Sequence, residues 1–376
     1  MITSVTTYLE KLQKIQKSIE NSKKYSLFYR GVSNTEYAKH ENDKPSIYRN
    51  TKHIENEHNM YYELISKCAD DFKDCDNTFE HLVKMQHYGF PTRLLDITSN
   101  ALVALYFACS DANTVEQNNL PNGQIIIYKI LSTEIRNYES DRVSLLSNLT
   151  KAHPYCLYIN FILNELTKNL KQLQNSLTEF RQEIANDREI EYVANDYLNE
   201  QNISMLTDEL KASNSKDIGG VNTLLSDLIL FNNNPVNLKL LQQSLRSIKN
   251  CQKHLGEYFS RYCYSLKNEK NGFNSDLIIA NDLKTVQFVR PKLTNPRIIA
   301  QSGFFILFGL NPLVRDKSAP TIDDNFYVDK SHHIIIDANA KINILNELKS
   351  LGITNATLFP EISDSAKEIA QKYAGL

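Results

Sequence analysis

The spacing of hydrophobic positions predicts helices and strands in the first half of the chain. Near its start, Tyr8, Leu12 and Ile15 recur at helical spacing, which predicts an amphipathic N-terminal helix. Residues 25–32, YSLFYRGV, place aromatic and apolar residues before an Arg-Gly pair and predict a short buried strand that ends in a turn. The run QIIIYKI, residues 124–130, follows a PNG turn and predicts a central strand.

Two helices are predicted to flank a sharp bend after residue 88. The pattern over residues 78–88 predicts a helix that Gly89 stops. A second, apolar helix is predicted from about residue 100 to 110, with Thr98 or Ser99 as its N-cap. The segment between the two helices is interpreted as a tight turn.

Strand patterns return after residue 275 and are followed by a further helix. The predicted strands lie in the runs DLIIA, TVQFVRP, IIAQSGFFILFG and HHIIIDA, between turns rich in Asn, Pro and Gly. The run KINILNELKSL predicts an amphipathic helix that ends at Gly352.

The middle of the chain, residues 151–260, has helical periodicity throughout and no strand pattern. Apolar residues recur there at spacings of three and four, at Leu163, Leu166, Leu170, Leu173, Leu177, Phe180 and Ile184. A helix that packs within its own domain and a helix that dimerises or binds a partner both fit this stripe. We therefore predict an α+β fold, a mixed sheet packed with helices, interrupted by a long all-helical insertion.

These patterns divide the chain into an N-terminal helix (1–20), a first sheet-forming part (21–150), the helical insertion (151–260) and a second sheet-forming part with C-terminal helices (261–376). The formal net charge is −2, so no overall positive field draws the protein to nucleic acid or to an anionic membrane. The six cysteines form no CxxC pair, and the chain has neither a signal-peptide pattern nor an apolar run of membrane-spanning length. We therefore expect a cytoplasmic protein that does not enter a membrane.

Candidate chemistry concentrates in residues 86–98, QHYGFPTRLLDIT. The polar side chains that crowd this bend include Gln86, His87, Thr92, Arg93 and Asp96. Such density indicates either a buried hydrogen-bonded strut or a ligand site. An ion pair between Arg93 and Asp96 is the structural alternative, and His87 fits either a satisfied turn histidine or an acid–base catalyst.

A second polar cluster lies in residues 295–307, NPRIIAQSGFFIL. In a strand, Arg297 and Gln301 would project on one face, and an amide beside a cation suits a carboxamide, ribose or phosphate. Structural roles at the edge of a sheet are the alternative. The chain contains no GxxxxGK[ST], GxGxxG, GxSxG or HExxH motif, which argues against P-loop, Rossmann, α/β-hydrolase and zincin sites, and we expect no metal.

Five segments together resemble the FRG-domain family, named for its Phe/Tyr-Arg-Gly motif. They are FYRG at 28–31, MQHYGFPTRLLDITSNALVALYFA at 85–108, SDRVSLLSNL at 140–149, NPRIIAQSGFFIL at 295–307 and LGITNATLFPEI at 351–362. The name motif is Tyr29-Arg30-Gly31 in this chain, and the QHxGxPTRLLD element is complete. The resemblance implies that the two sheet-forming parts are the two parts of one FRG domain.

An apolar strand that ends in Tyr-Arg-Gly is also similar to the first strand of mono-ADP-ribosyltransferases. This similarity implies that Arg30 grips phosphate or ribose oxygens of NAD through its planar set of donors. A later strand supplies a glutamate in those enzymes, and the comparable position in this chain is Gln301. An amide cannot act as a base or stabilise a cation by charge, so Asp96, Glu361 or another carboxylate would have to supply the negative charge.

The leading hypothesis is an NAD-type nucleotide-binding effector, ADP-ribosyltransferase-like or NAD-cleaving, that acts as a toxin in bacterial stress or phage defence, with NAD as its substrate. The expected catalytic residues are Arg30, His87, Asp96 and Gln301. The expected nucleotide-binding residues are Tyr29, Arg30, Gly31, Gln86, Thr92, Arg93, Arg297 and Gln301.

Two other hypotheses stay open. One is a non-enzymatic ligand- or partner-sensing module, in which the polar motifs form a closed strut without a pocket. A protein partner, or self-association through residues 163–184, fits either hypothesis. The other is an effector that acts on nucleic acid, against which the missing basic stripe argues.

Overall fold

The computed structural model describes most of the two sheet-forming parts. The described residues are 1–19, 22–38, 43–113, 120–151, 262, 264, 266–273, 282–283, 285–310, 319–328, 333–362, 366, 369–370 and 373. Residues 152–260 of the predicted insertion, with the apolar stripe at 163–184, lie outside this set, as does the predicted strand DLIIA. The predictions for those segments therefore stay predictions.

The described strands and helices are interspersed along the chain. The strands are β1 (Tyr25–Val32), β2 (Leu94–Thr98), β3 (Gly123–Leu131), β4 (Ile135–Asn137), β5 (Val286–Arg290), β6 (Gly303–Phe308) and β7 (Ile334–Ile336). The helices are α1 (Val5–Ser18), α2 (Thr51–Glu55), α3 (Glu57–Lys67), α4 (Thr78–His87), α5 (Ala101–Cys109), α6 (Asp141–Ser147), α7 (Pro296–Ala300), α8 (Lys341–Ser350) and α9 (Asn355–Leu358).

The seven described strands form one sheet in the order β4-β5-β6-β2-β1-β3-β7, parallel between β4 and β5 and antiparallel elsewhere. Strand β1 pairs with β3 along its whole length, and β2 does the same with β6. By contrast, β1 and β2 meet at a single pair, Tyr29 opposite Thr98. The sheet thus consists of two well-paired halves joined at one residue pair, and the predicted α+β class with a mixed sheet is confirmed.

Two hydrophobic clusters cover the two faces of the sheet. Because successive residues of a strand face opposite sides, Tyr29 packs with residues of α1, α5 and α8, whereas Phe28 belongs to the cluster on the other face. Arg30 shares the side of Phe28. The alternation within β1 therefore determines on which side of the sheet the motif arginine lies.

Helix α5 packs unusually closely on the sheet because two glycines lie beneath it. A Cβ atom added at Gly31 in β1 would lie 1.8 Å from the carbonyl oxygen of Ala104, and one at Gly123 in β3 would lie 2.2 Å from that of Ala108. Most of α5 is buried. The glycine of the Tyr29-Arg30-Gly31 motif therefore allows the backbone of a core helix to contact the strand.

Several sequence predictions are confirmed by the described elements. Helix α1 buries Tyr8, Leu12 and Ile15, β1 spans residues 25–32 as predicted, and QIIIYKI lies inside β3. Helix α4 stops before Gly89, and Gly352 follows α8; both glycines have positive φ angles.

Three predictions in the polar segments are wrong. Residues 94–98, interpreted as part of a turn between helices, form strand β2, and Asn100 caps α5 in place of Thr98 or Ser99. The run IIAQSGFFILFG begins as helix α7, because Asn295 caps its N-terminus and Pro296 occupies its first position, so the strand starts only at Gly303.

The chain divides by its internal contacts into two units. One comprises Met1–Ser147, Val286–Gly309 and Ala319–Leu376 and contains every described strand; the other comprises Asn148–Thr285 and Leu310–Ser318. In the second unit, Glu269 accepts hydrogen bonds from Asn148 and Lys151. No helix among the described residues is both long and apolar enough to cross a membrane.

Candidate functional site

A cleft of about 240 Å³ lies in the first unit, beside the single pair that joins β1 and β2. The strands contribute Tyr29, Arg30, Gly31, Asp96, Ile97, Thr98, Gly303, Phe304 and Phe305. The helices and the residue after α7 contribute Val83, Gln86, His87, Phe107, Arg297, Ile298 and Gln301. The two dense polar segments of the sequence, about 200 residues apart, therefore line one cleft together with the motif arginine.

Arg30 is held from behind by a buried carboxylate. Its Nη1 lies 3.5 Å from Oδ1 of Asp43, whose other oxygen accepts hydrogen bonds from the hydroxyls of Tyr128 (2.8 Å) and Tyr327 (3.1 Å). Burial and the neighbouring Asp43 raise the pKa of both tyrosines, so both remain protonated donors at neutral pH. This network fixes the guanidinium group at the cleft.

Asp96 is the exposed residue of an otherwise buried strand. Nε2 of Gln86 donates a hydrogen bond to Oδ2 of Asp96 at 2.7 Å, and the side-chain oxygen of Gln86, Oε1, accepts one from the Thr92 hydroxyl at 2.6 Å. The chain of hydrogen bonds orients the Gln86 amide and, through it, the carboxylate. Thr92 is buried behind Gln86 and does not line the cleft.

His87 ends α4, and both of its ring nitrogens have neighbours. Nε2 lies 2.5 Å from Oε1 of Glu361, and Nδ1 lies 3.5 Å from the amide nitrogen of Asn295. Burial lowers the pKa of His87 and the Arg297 charge lowers it further, while Glu361 opposes both effects. The imidazole is therefore neutral at pH 7.

Arg297 and Gln301 both line the cleft, although they are placed by a helix and not by a strand. They lie four residues apart, at α7 and at its C-cap, a spacing that puts them on one side of a helix. Arg297 donates to the carbonyl oxygen of His87 at 3.2 Å, and Gln301 donates to that of Leu358 at 3.0 Å.

Arg93 lies outside the cleft and forms a buried structural network. Its Nε and Nη2 donate to the two carboxylate oxygens of Glu57 at 2.7 and 2.5 Å, and its Nη1 donates to the Tyr48 hydroxyl and to the Gly309 carbonyl. Its carboxylate partner is Glu57 and not Asp96. Arg93 of the QHxGxPTRLLD element therefore has a structural role, whereas Gln86, His87 and Asp96 of the same element line the cleft.

Sequence reasoning missed several residues that shape the cleft. Asp43 lies in a long polar stretch and has no local signal, because its role depends on contacts with β1 and β3. Asn295 did have a signal, since Asn-Pro before an apolar run is typical of a helix start. The aromatic residues Phe107, Phe304 and Phe305 lie in apolar runs that predict only a helix and a strand, and they also line the cleft.

Comparison with known proteins gives one match. Residues 25–117 match the family model of the FRG domain, a range that runs from β1 through α5 and includes Arg30, Gly31 and residues 86–98. Neither the curated proteins nor the solved structures gave a match to the chain. The family match supports the FRG resemblance, and none of the comparisons links the chain to ADP-ribosyltransferases.

Proposed function

We propose that the cleft binds an NAD-type nucleotide and that the protein is an ADP-ribosyltransferase-like or NAD-cleaving enzyme. The observation that carries this proposal is the state of Arg30. Its Nη1 is buried and donates no hydrogen bond to any described residue, with Oδ1 of Asp43 at 3.5 Å. Nη1 faces Asp43, whereas the other two guanidinium nitrogens donate to no described residue and Arg30 lines the cleft, so these nitrogens have capacity for phosphate or ribose oxygens of a ligand.

The other cleft residues suit the remaining parts of a dinucleotide. Arg297 is a second cation for a pyrophosphate, and the rings of Phe107, Phe304 and Phe305 suit a nucleobase or nicotinamide. The carboxylate of Asp96 is exposed and oriented by Gln86. An open cleft with this lining favours ligand binding over the closed strut expected of a sensing module without a pocket.

The chemistry that fits this lining is cleavage of the bond between ribose C1′ and the nicotinamide nitrogen. Nicotinamide leaves with the electron pair of that bond, and positive charge develops on the ribose. Asp96 is the cleft carboxylate that would stabilise this charge. Water, or a nucleophile of an acceptor, then adds to C1′ and releases its proton. Gln301 would contribute hydrogen bonds and no charge.

Calorimetry with NAD tests the binding step on the wild type and on Arg30→Lys. Lysine keeps the positive charge beside Asp43 but loses the planar set of donors, so we expect the affinity to fall by about tenfold to a hundredfold. Lys292→Gln is the matched control, because Lys292 pairs with Asp76 and Glu80 and does not line the cleft. No binding of NAD by the wild type would contradict the proposal and favour the non-enzymatic sensing module.

Release of nicotinamide tests the chemical step. Asp96→Asn keeps the shape of the side chain and removes its charge, so we expect kcat to fall by about 10²–10³-fold while NAD still binds. Asp76→Asn removes an exposed carboxylate outside the cleft and should leave turnover unchanged. Equal turnover in wild type and Asp96→Asn would remove Asp96 from the mechanism.

The proposed effector role in bacterial stress or phage defence has its own test. Production of the wild type in a bacterial host should slow growth and lower the cellular NAD content, because the proposed reaction consumes NAD. Production of Asp96→Asn to the same level should do neither. Equal growth with both proteins would contradict the effector role and leave the binding experiment unaffected.

A further inference from the structure

One short segment near the end of the chain binds three side chains of the cleft. Gln301 donates to the Leu358 carbonyl oxygen at 3.0 Å, and the Arg297 guanidinium lies 4.5 Å from the centre of the Phe359 ring. Oε1 of Glu361 lies 2.5 Å from Nε2 of His87. This C-terminal segment, residues 358–361, begins at the last residue of α9 and lies outside the range that matches the FRG model.

We propose that Glu361 is a positioning residue that fixes the protonation form of His87, with the proton on Nε2 and the lone pair on Nδ1. An ionised carboxylate is an acceptor only, so a contact of 2.5 Å requires a hydrogen on Nε2. The side chain of Glu361 therefore selects one of the two neutral forms of the imidazole.

Asn295 supports the same form from the other side of the ring. Its Oδ1 accepts the backbone N–H of Arg297 at 2.8 Å, as the N-cap of α7, and this bond fixes the orientation of the amide. Its Nδ2, which can only donate, lies 3.5 Å from Nδ1 of His87. A hydrogen on Nδ1 of His87 would face a hydrogen of the Asn295 amide group. Glu361 and Asn295 therefore both favour the form of His87 that carries its hydrogen on Nε2 and its lone pair on Nδ1.

The protonation form decides which ring nitrogen can take up a proton in the cleft. That consequence for catalysis rests on the proposed function, whereas the form itself is a property of the protein without ligand. The charged or titratable groups that act on His87 are Arg297 from α7, Asp96 from β2 and Glu361, with the Tyr88 ring beside it. Glu361 and Asp96 raise its pKa, and burial and Arg297 lower it.

NMR of the full chain labelled with ¹⁵N-histidine reads the form directly, from the ¹⁵N shifts and long-range couplings of each ring. The signals lost in His87→Gln identify this residue among the nine histidines. We expect the Nε2-protonated form in the wild type and in Glu361→Gln, whose carbonyl oxygen still accepts, and a mixture of forms in Glu361→Ala. Both variants should lower the pKa of His87, and Arg297→Gln should raise it.

An Nδ1-protonated ring in the wild type, or an unchanged form in Glu361→Ala, would overturn the proposal. A purely structural role of Glu361 would change stability and leave the ring form as it is, so melting temperatures are measured alongside. Because the measurement needs no ligand, failure of NAD to bind would contradict the proposed function and leave the role of Glu361 standing.

Discussion

At the scale of the residue, Gly31 shows why a motif glycine can be essential without touching a ligand. A Cβ at this position would lie 1.8 Å from the Ala104 carbonyl oxygen, and only a movement of the α5 backbone could relieve that contact. We therefore expect Gly31→Ala to lower the free energy of unfolding by about 3 kcal/mol or more. Denaturant unfolding followed by circular dichroism measures the change.

Gly303→Ala is the matched control for this prediction. Like Gly31, Gly303 lies in a strand and lines the cleft. A Cβ added at Gly303, however, would lie 3.5 Å from the nearest atoms of Ile298, which is an ordinary van der Waals contact. We expect it to change the free energy of unfolding by about 1 kcal/mol or less. Equal stability of the two variants would mean that α5 is free to shift away from β1.

Individual cleft residues were easier to predict than their partners. Concentrations of polar side chains beside apolar runs indicate His87, Asp96, Arg297 and Gln301, and the Tyr-Arg-Gly motif indicates Arg30; the structure places all five at the cleft. Their roles depend on contacts that no local pattern encodes. The partners of Arg30 and Arg93 lie 13 and 36 residues away in a polar stretch that predicts only loop and helix.

At the scale of the element, the buried pair of Arg93 and Glu57 connects the start of α3 to the residue before β2. Both carboxylate oxygens of Glu57 are bound by the guanidinium, and the side chains are almost fully buried. Glu57→Gln leaves the buried cation with a neutral partner, which we expect to cost about 3 kcal/mol in thermal or denaturant unfolding.

The exposed pair of Glu63 and Lys67, on the same helix α3, provides the control for that prediction. Both side chains are mostly in solvent, where an ion pair contributes little to stability. Glu63→Gln should therefore unfold like the wild type. If Glu57→Gln also unfolds like the wild type, the network around Arg93 does not hold α3 to the sheet.

The elements that were mispredicted are the short ones whose neighbours decide their structure. Strand β2 has five residues with two adjacent buried leucines, so its alternation is too brief to distinguish it from a turn; pairing with β6 makes it a strand. In residues 296–300 the β-branched run favoured a strand, and the Asn-Pro helix start outweighed it. Longer elements were predicted correctly: α1 because burial of one face repeats along it, and β1 and β3 because their apolar, aromatic and β-branched runs continue for eight and nine residues.

At the scale of the whole molecule, pairing in the sheet predicts that residues 25–117, the range that matches the FRG model, do not fold alone. This range contains β1 and β2 but neither β3, the full-length partner of β1, nor β6, the full-length partner of β2. The two strands it retains share a single pair, Tyr29 opposite Thr98. Two strands joined so briefly leave most of their backbone groups unpaired.

We therefore expect the fragment 25–117 to give a collapsed amide proton spectrum and no cooperative thermal unfolding, while the full chain shows both dispersion and a cooperative transition. The cleft should be lost with the fold, because Arg297 and Gln301 belong to α7 and its C-cap, about 180 residues beyond the end of the fragment. A fragment that melts cooperatively would show that helices α2–α5 stabilise β1 and β2 without their sheet partners. In that case the second sheet-forming part would complete the cleft of a domain that is already folded, and adding it as a separate chain should restore the NAD binding that we propose for the full chain.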